Sequence, residues 1–187
     1  METATLPKRA DAVRNRERVV AAAVAVFAER GVEAGVPEIA ARAGVGKATV
    51  YRSFPTKEHL IAAVVTVKLA DLERRARERL DHPDPWQALE QLVDEDAGRQ
   101  CVDRSLSSVL HAGVAADLLA GPRASMWEAI DQLMDRAKAQ GSMRQDVRAA
   151  DLRVLWLGVT RVLTADGVDD PAAWKRYYRL ALGALRA

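Results

Sequence analysis

Ala43-Gly44-Val45-Gly46-Lys47-Ala48-Thr49-Val50-Tyr51-Arg52-Ser53-Phe54-Pro55-Thr56-Lys57-Glu58 reads as the second half of a helix-turn-helix. Its skeleton begins just upstream, since Ala40, Gly44 and Val50 have the spacing of two short helices crossing steeply. Ala40 is small where the helices touch, Gly44 is free to take positive φ in the turn, and Val50 is a branched apolar plug between them. The second helix then exposes Lys47, Ala48, Thr49, Tyr51, Arg52 and Ser53 with no acid among them. Cationic, hydroxyl and small side chains of this kind meet phosphates and base edges in a major groove. Lys47 and Arg52 can each donate to guanine O6 and N7, and Thr49 can meet a thymine methyl.

The segments on either side support this pair. Val20, Ala23, Val24 and Phe27 recur at helical steps after Asp11, and Gly31 supplies a stop, which predicts a bracing helix. Arg14 and Arg16 near its start are candidate phosphate contacts. Residues 1–10 lack periodicity and read as a mobile tail. Val36-Pro37-Glu38 opens the next helix, with proline and an acid both suited to a first turn. Phe54-Pro55 ends the recognition helix, and Thr56 caps another that continues through Leu69 into Arg74-Arg75-Ala76-Arg77. Asp71, Glu73 and Glu78 interleave with those arginines, so the cluster reads as an ion-paired helix face.

Residues 16–64, with Ala22-Ala23, Phe27-Ala28-Glu29-Arg30-Gly31, Glu38-Ile39-Ala40-Ala41-Arg42-Ala43-Gly44-Val45 and Thr49 to Glu58, resemble the DNA-binding domain of TetR-family transcriptional regulators. The resemblance implies an all-α homodimer that binds a palindromic double-stranded DNA operator and is released when a small-molecule effector enters its C-terminal domain. It also implies that Tyr51 and Lys57 hold phosphates on either side of the groove. The candidate DNA contacts are thus Arg42, Lys47, Thr49, Tyr51, Arg52, Ser53 and Lys57. The chain departs from the family pattern where Ala34-Gly35 and Gly46 replace hydroxyl caps, and where Ser53 stands in place of a frequent histidine.

At 187 residues, 49% hydrophobic and 29% charged, the chain is long enough to bury a sizeable core. The net charge of +2 does not by itself announce nucleic acid, but residues 1–60 hold ten Lys/Arg against seven Asp/Glu, so the basic surplus is N-terminal. A single cysteine, Cys101, excludes an internal disulfide and, with acids nearby and no partner thiol, reads as a buried structural thiol rather than a redox sensor. No apolar run approaches a membrane span and no signal core follows Met1, which predicts a cytoplasmic protein. His59, His82 and His111 form no metal-ligand spacing, and phosphate-cradling glycines and a nucleophile turn are missing. The sequence therefore predicts no enzyme and no cofactor. An activator or structural DNA-binding protein without effector-driven release is the alternative to a ligand-responsive repressor.

We expect a reading domain over 11–58 and a helical effector and dimerisation domain over 59–187, with Asp81-His82-Pro83-Asp84-Pro85 the clearest break. Helices are predicted near 86–98, 102–119, 122–140, 149–165 and 171–185, about nine in all, with Gly121-Pro122 separating two of them. Arg104, His111, Met126, Trp127, Ile130 and Met134 are the candidate effector-pocket residues, although a Trp/Met stripe also suits plain core. Leu152, Leu155, Trp156, Val159, Trp174, Tyr177, Tyr178, Ala181 and Leu185 lie on two unusually wide apolar faces. A pair of such helices meeting its two-fold mate would make a four-helix dimer interface.

Overall fold

The computed structural model describes residues 6–102 and 116–187, with side chains from Ala10 onward. The described residues form eight helices and no strand: α1 (Leu6–Arg30), α2 (Val36–Ala43), α3 (Lys47–Ser53), α4 (Lys57–Glu78), α5 (Pro85–Val102), α6 (Ala116–Ala139), α7 (Ala149–Ala165) and α8 (Pro171–Gly183). The protein is all-α, as the periodicity predicts. None of the described helices is long and apolar enough to cross a membrane.

The N-terminal end is built around α1, which packs on α2, α3 and the start of α4. Phe27 and Phe54 are fully buried there beside Ile39 and Leu60. Each such ring or branched side chain contributes about 1.5–3 kcal/mol when withdrawn from water. Helix α1 starts at Leu6, earlier than the expected Asp11, so Leu6 to Ala10 extend the bracing helix. Thr56 caps α4 as expected, its hydroxyl accepting from the His59 backbone N–H.

Helix α4 then leaves the N-terminal end without interruption. Its 22 residues make a rod about 33 Å long. It packs chiefly along α6, while α5 packs along α8 and α7 against α8. The arginine-rich end of α4 is ion-paired as expected, Arg74 bonding both Asp71 and Glu78 and Arg77 bonding Glu73.

Two expectations need correction. Gly121-Pro122 does not break the chain, because both residues lie inside α6. Leu119 before the proline and Met126 after it sit on the same buried face, and continuous packing against α4 outweighs the one hydrogen bond a proline removes. The helix expected over 102–119 is not a separate element at its described ends. Val102 closes α5 and residues 116–119 belong to α6, while 103–115 lie outside the described residues.

Candidate nucleic-acid interface

The turn between α2 and α3 has the geometry its residues demand. Gly44 takes φ 64°, ψ 38°, the left-handed conformation that ends a helix most cheaply at glycine. The Gly44 N–H donates to Ala41 O at 3.1 Å and the Val45 N–H to Ala40 O at 3.0 Å, so the end of α2 folds back on its own carbonyls. Ala40 and Val50 are both buried at the crossing. Gly35 and Gly46 provide extended N-cap backbones but no side-chain hydrogen bond, which leaves the first N–H groups of α2 and α3 without capping side chains.

This arrangement presents one face of α3 to solvent. Lys47, Tyr51 and Arg52 are exposed, and Thr49, Ser53 and, from the start of α4, Lys57 are half-buried beside them. Lys47, Arg52 and Lys57 enter no ion pair among the described residues. Arg42 is exposed but differs from these three, since its Nη1 donates to Glu29 at 2.6 Å. That bond holds the Glu29 carboxyl below its ordinary range and the Arg42 guanidinium above its own. A DNA phosphate would have to compete with Glu29 for Arg42. Arg14 likewise pairs with Asp11.

Sequence reasoning placed Arg16 against phosphate and gave no role to Arg18. The Arg16 Nη1 donates to Ser53 O at 2.8 Å while its guanidinium lies 4.2 Å from the Phe54 ring centre. Arg18 Nη2 donates to Ala43 O at 2.5 Å. Neither partner is a side chain with a sequence signature, so spacing alone could not find these bonds.

Farther along α4, its Leu69 and Leu72 form one wall of a cavity of about 180 Å³. Asp96 and Gln100 of α5, Met126 and Trp127 of α6, and Trp156 and Leu157 of α7 enclose it. The structure thus brings two expected pocket residues, Met126 and Trp127, to a cavity. Ile130 and Met134 are wholly buried in the core and do not line it, because they fall on the face of α6 turned into the bundle. Arg104 and His111 lie outside the described residues.

Sequence reading named none of the polar residues that line this cavity, Asp96, Gln100, Arg123, Arg153 and Thr160, and Asp96 is buried. Its carboxylate accepts from Trp156 Nε1 at 3.0 Å and faces Arg75 Nη2 at 3.7 Å. Arg75 is itself buried and shared with Asp71 at 3.0 Å and Glu95 at 3.4 Å. Burial pushes the Asp96 carboxyl up, against the opposing pull of Arg75, Trp156 and Gln100.

The wide apolar faces of α7 and α8 also divide in two. Leu152, Trp156, Trp174, Tyr178 and Leu185 are buried within this chain, and Leu155, Val159 and Ala181 are half-buried. Trp156 meets Tyr178 edge-on at 5.7 Å, so these rings fill the subunit's own core and correct their expected place in an intersubunit contact. The outward stripe consists of Val154, Leu157 and Val162 on α7 with Tyr177 and Leu180 on α8. Of the five, Val162 and Tyr177 already stand on the apolar faces read from sequence.

Comparison with known proteins agrees with this geometry. The family model for bacterial regulatory proteins of the tetR family matches residues 19–64. The C-terminal domain of SbtR-like transcriptional regulators matches residues 84–187, more than half of the chain. An uncharacterized HTH-type transcriptional regulator of Mycobacterium tuberculosis is 30% identical over 159 residues, 82% of each chain. The HTH-type transcriptional repressor BepR of Brucella suis is 34% identical over 88 residues, covering 46% of this chain and 42% of BepR. The crystal structure of the TetR transcriptional regulator SCO0520 of Streptomyces coelicolor superposes with a TM-score of 0.68 at 33% identity, over 91% of this chain and 98% of that one. These relatives are regulators, not enzymes, and with the helix-turn-helix in place this chain belongs to the TetR family of transcriptional regulators.

Proposed function

We propose that the chain acts as a cytoplasmic, homodimeric repressor whose paired recognition helices read a palindromic operator, and which a small-molecule effector releases. The observation that carries this reading is the exposed face of α3, where Lys47, Tyr51 and Arg52 stand with no carboxylate partner among the described residues. Arg52 and Lys47 read bases, while Tyr51 and Lys57 hold phosphates on either side. Ser53 and Thr49 add short contacts, and Arg42 joins them where a phosphate displaces Glu29. The reading head spans 11–58 and the effector and dimerisation part 59–187. Similarity to a repressor, BepR, supports the sign of regulation.

Release follows from the rod. Helix α4 carries Lys57 at one end and the cavity residues Leu69 and Leu72 farther along, with no break between them. A ligand that wedges α4 away from α6 moves the two reading heads relative to the half-site spacing of about one helical turn of DNA. Trp156 and Leu157 place α7 in the same wall, so the proposed dimer face senses the same ligand.

Selection of bound fragments from a random duplex pool tests the reading, and a recovered palindrome is the expected result. On that sequence, Arg52→Ala is expected to cost about 1–3 kcal/mol and to relax preference at particular base pairs. Lys57→Ala is expected to weaken every duplex alike and to reduce the salt slope by about one. Fluorescence anisotropy across a salt series separates the two, and equal losses for Arg52→Ala on all duplexes would remove it as a base reader.

A further inference from the structure

Helix α3 has only seven residues, and neither it nor α2 begins with a capping side chain. So short a helix cannot hold its own angle, and the orientation that groove reading needs must come from elsewhere. Two arginines of α1 reach the backbone on both sides of it. Arg16 donates to Ser53 O at 2.8 Å, at the C-terminal end of α3, and stacks on Phe54. Arg18 donates through one nitrogen to Ala43 O at 2.5 Å and Gly44 O at 3.4 Å, at the end of α2 and in the turn that launches α3. Carbonyls at helix C-termini carry the negative end of the dipole and lack intrahelical partners, so a guanidinium satisfies both needs. Gly44 fits this contact closely, since a Cβ there would stand 2.8 Å from the Arg18 Nη2 atom.

We propose that Arg16 and Arg18 are positioning residues that set operator specificity: Arg16 grips the C-terminal end of the recognition helix, Arg18 grips the end of α2 and the turn before that helix, and neither supplies a phosphate contact. This rests on the reading that α3 enters the groove. Both side chains are exposed on the DNA-reading end of the molecule, where a simple cation would instead neutralise a phosphate. The two roles differ in what they leave behind. Losing a phosphate contact weakens all duplexes together and lowers the salt slope by about 0.9 per contact. Losing a clamp tilts α3, so base contacts fail while the salt slope stays.

The test uses the full chain with Arg16→Met, Arg18→Met and Arg18→Lys, measured on the selected operator and on an unrelated duplex across a potassium chloride series. Each methionine variant is expected to lose about tenfold on the operator, little on the unrelated duplex, and nothing in slope. Arg18→Lys keeps the charge and the stem but not the fork, so it is expected to lose about threefold of the operator preference. It decides the matter where a methionine variant fails to fold. Equal losses on both duplexes with a lower slope, unchanged binding of the methionine variants, or full activity of Arg18→Lys would each overturn the proposal. Failure of the unaltered protein to prefer its operator would instead sink the groove reading itself.

Discussion

Val162→Glu combined with Leu180→Glu is expected to yield a folded monomer that binds its operator about 10²–10⁴-fold more weakly than the unaltered protein. Both side chains lie on the outward stripe of α7 and α8, 57% and 58% exposed, so charge there does not enter the subunit's core. The two-fold partner proposed to cover them would bury two carboxylates per subunit in apolar surroundings, which no interface of this kind tolerates. A monomer carries one reading head, and the second half-site then no longer adds its binding to the first. Light scattering gives the mass and anisotropy the affinity, while far-ultraviolet circular dichroism checks that the helices persist. A dimer that survives both substitutions would move the interface off these helices. Substituting the buried Trp174 would not serve, since its loss would unfold the subunit before it informed on association.

Asp96→Ala carries the second large effect, about 3 kcal/mol of lost stability by urea unfolding. The figure is the lower end of what breaking a buried pair costs, because Arg75 retains Asp71 and Glu95. Trp156 is left with an indole N–H facing a void and the 180 Å³ cavity gains an apolar floor. Asp96→Asn keeps an acceptor for that N–H and is expected to cost only about 1 kcal/mol.

The same pair of proteins yields a pH signature. The folded chain holds the Asp96 proton more tightly than the unfolded chain, since its carboxyl is raised by burial. The cost of that buried charge is therefore absent below the unfolded value of about 3.9, grows as pH rises toward the folded value, and is complete above it. Relative to Asp96→Asn, the unaltered protein should be favoured most in acid and lose that advantage across this window. The opposite slope would mean that Arg75 outweighs burial.

Much of the reading head was legible residue by residue. Gly44 needed positive φ, Pro55 ended a helix, Thr56 capped the next, and Val50 was the apolar residue at the crossing. Each signal acts through backbone within a turn or two of its own position. The C-terminal half was less legible. The periodicity of α7 and α8 revealed broad apolar faces but could not say which part met the same subunit and which met solvent. Gly121-Pro122 carried a strong local signal for a break, and packing overrode it.

The sequence by itself determined the helical class, the turn at Gly44 and the acid-free face of α3, because those follow from local conformational preference and side-chain chemistry. Only the tertiary structure decided that Arg16 and Arg18 meet carbonyls 37 and 25 residues away, that Asp96 is buried against a tryptophan 60 residues on, and that Trp156 and Tyr178 point inward. Those outcomes depend on which surfaces three or more helices jointly exclude from water, a property no single stretch of chain possesses.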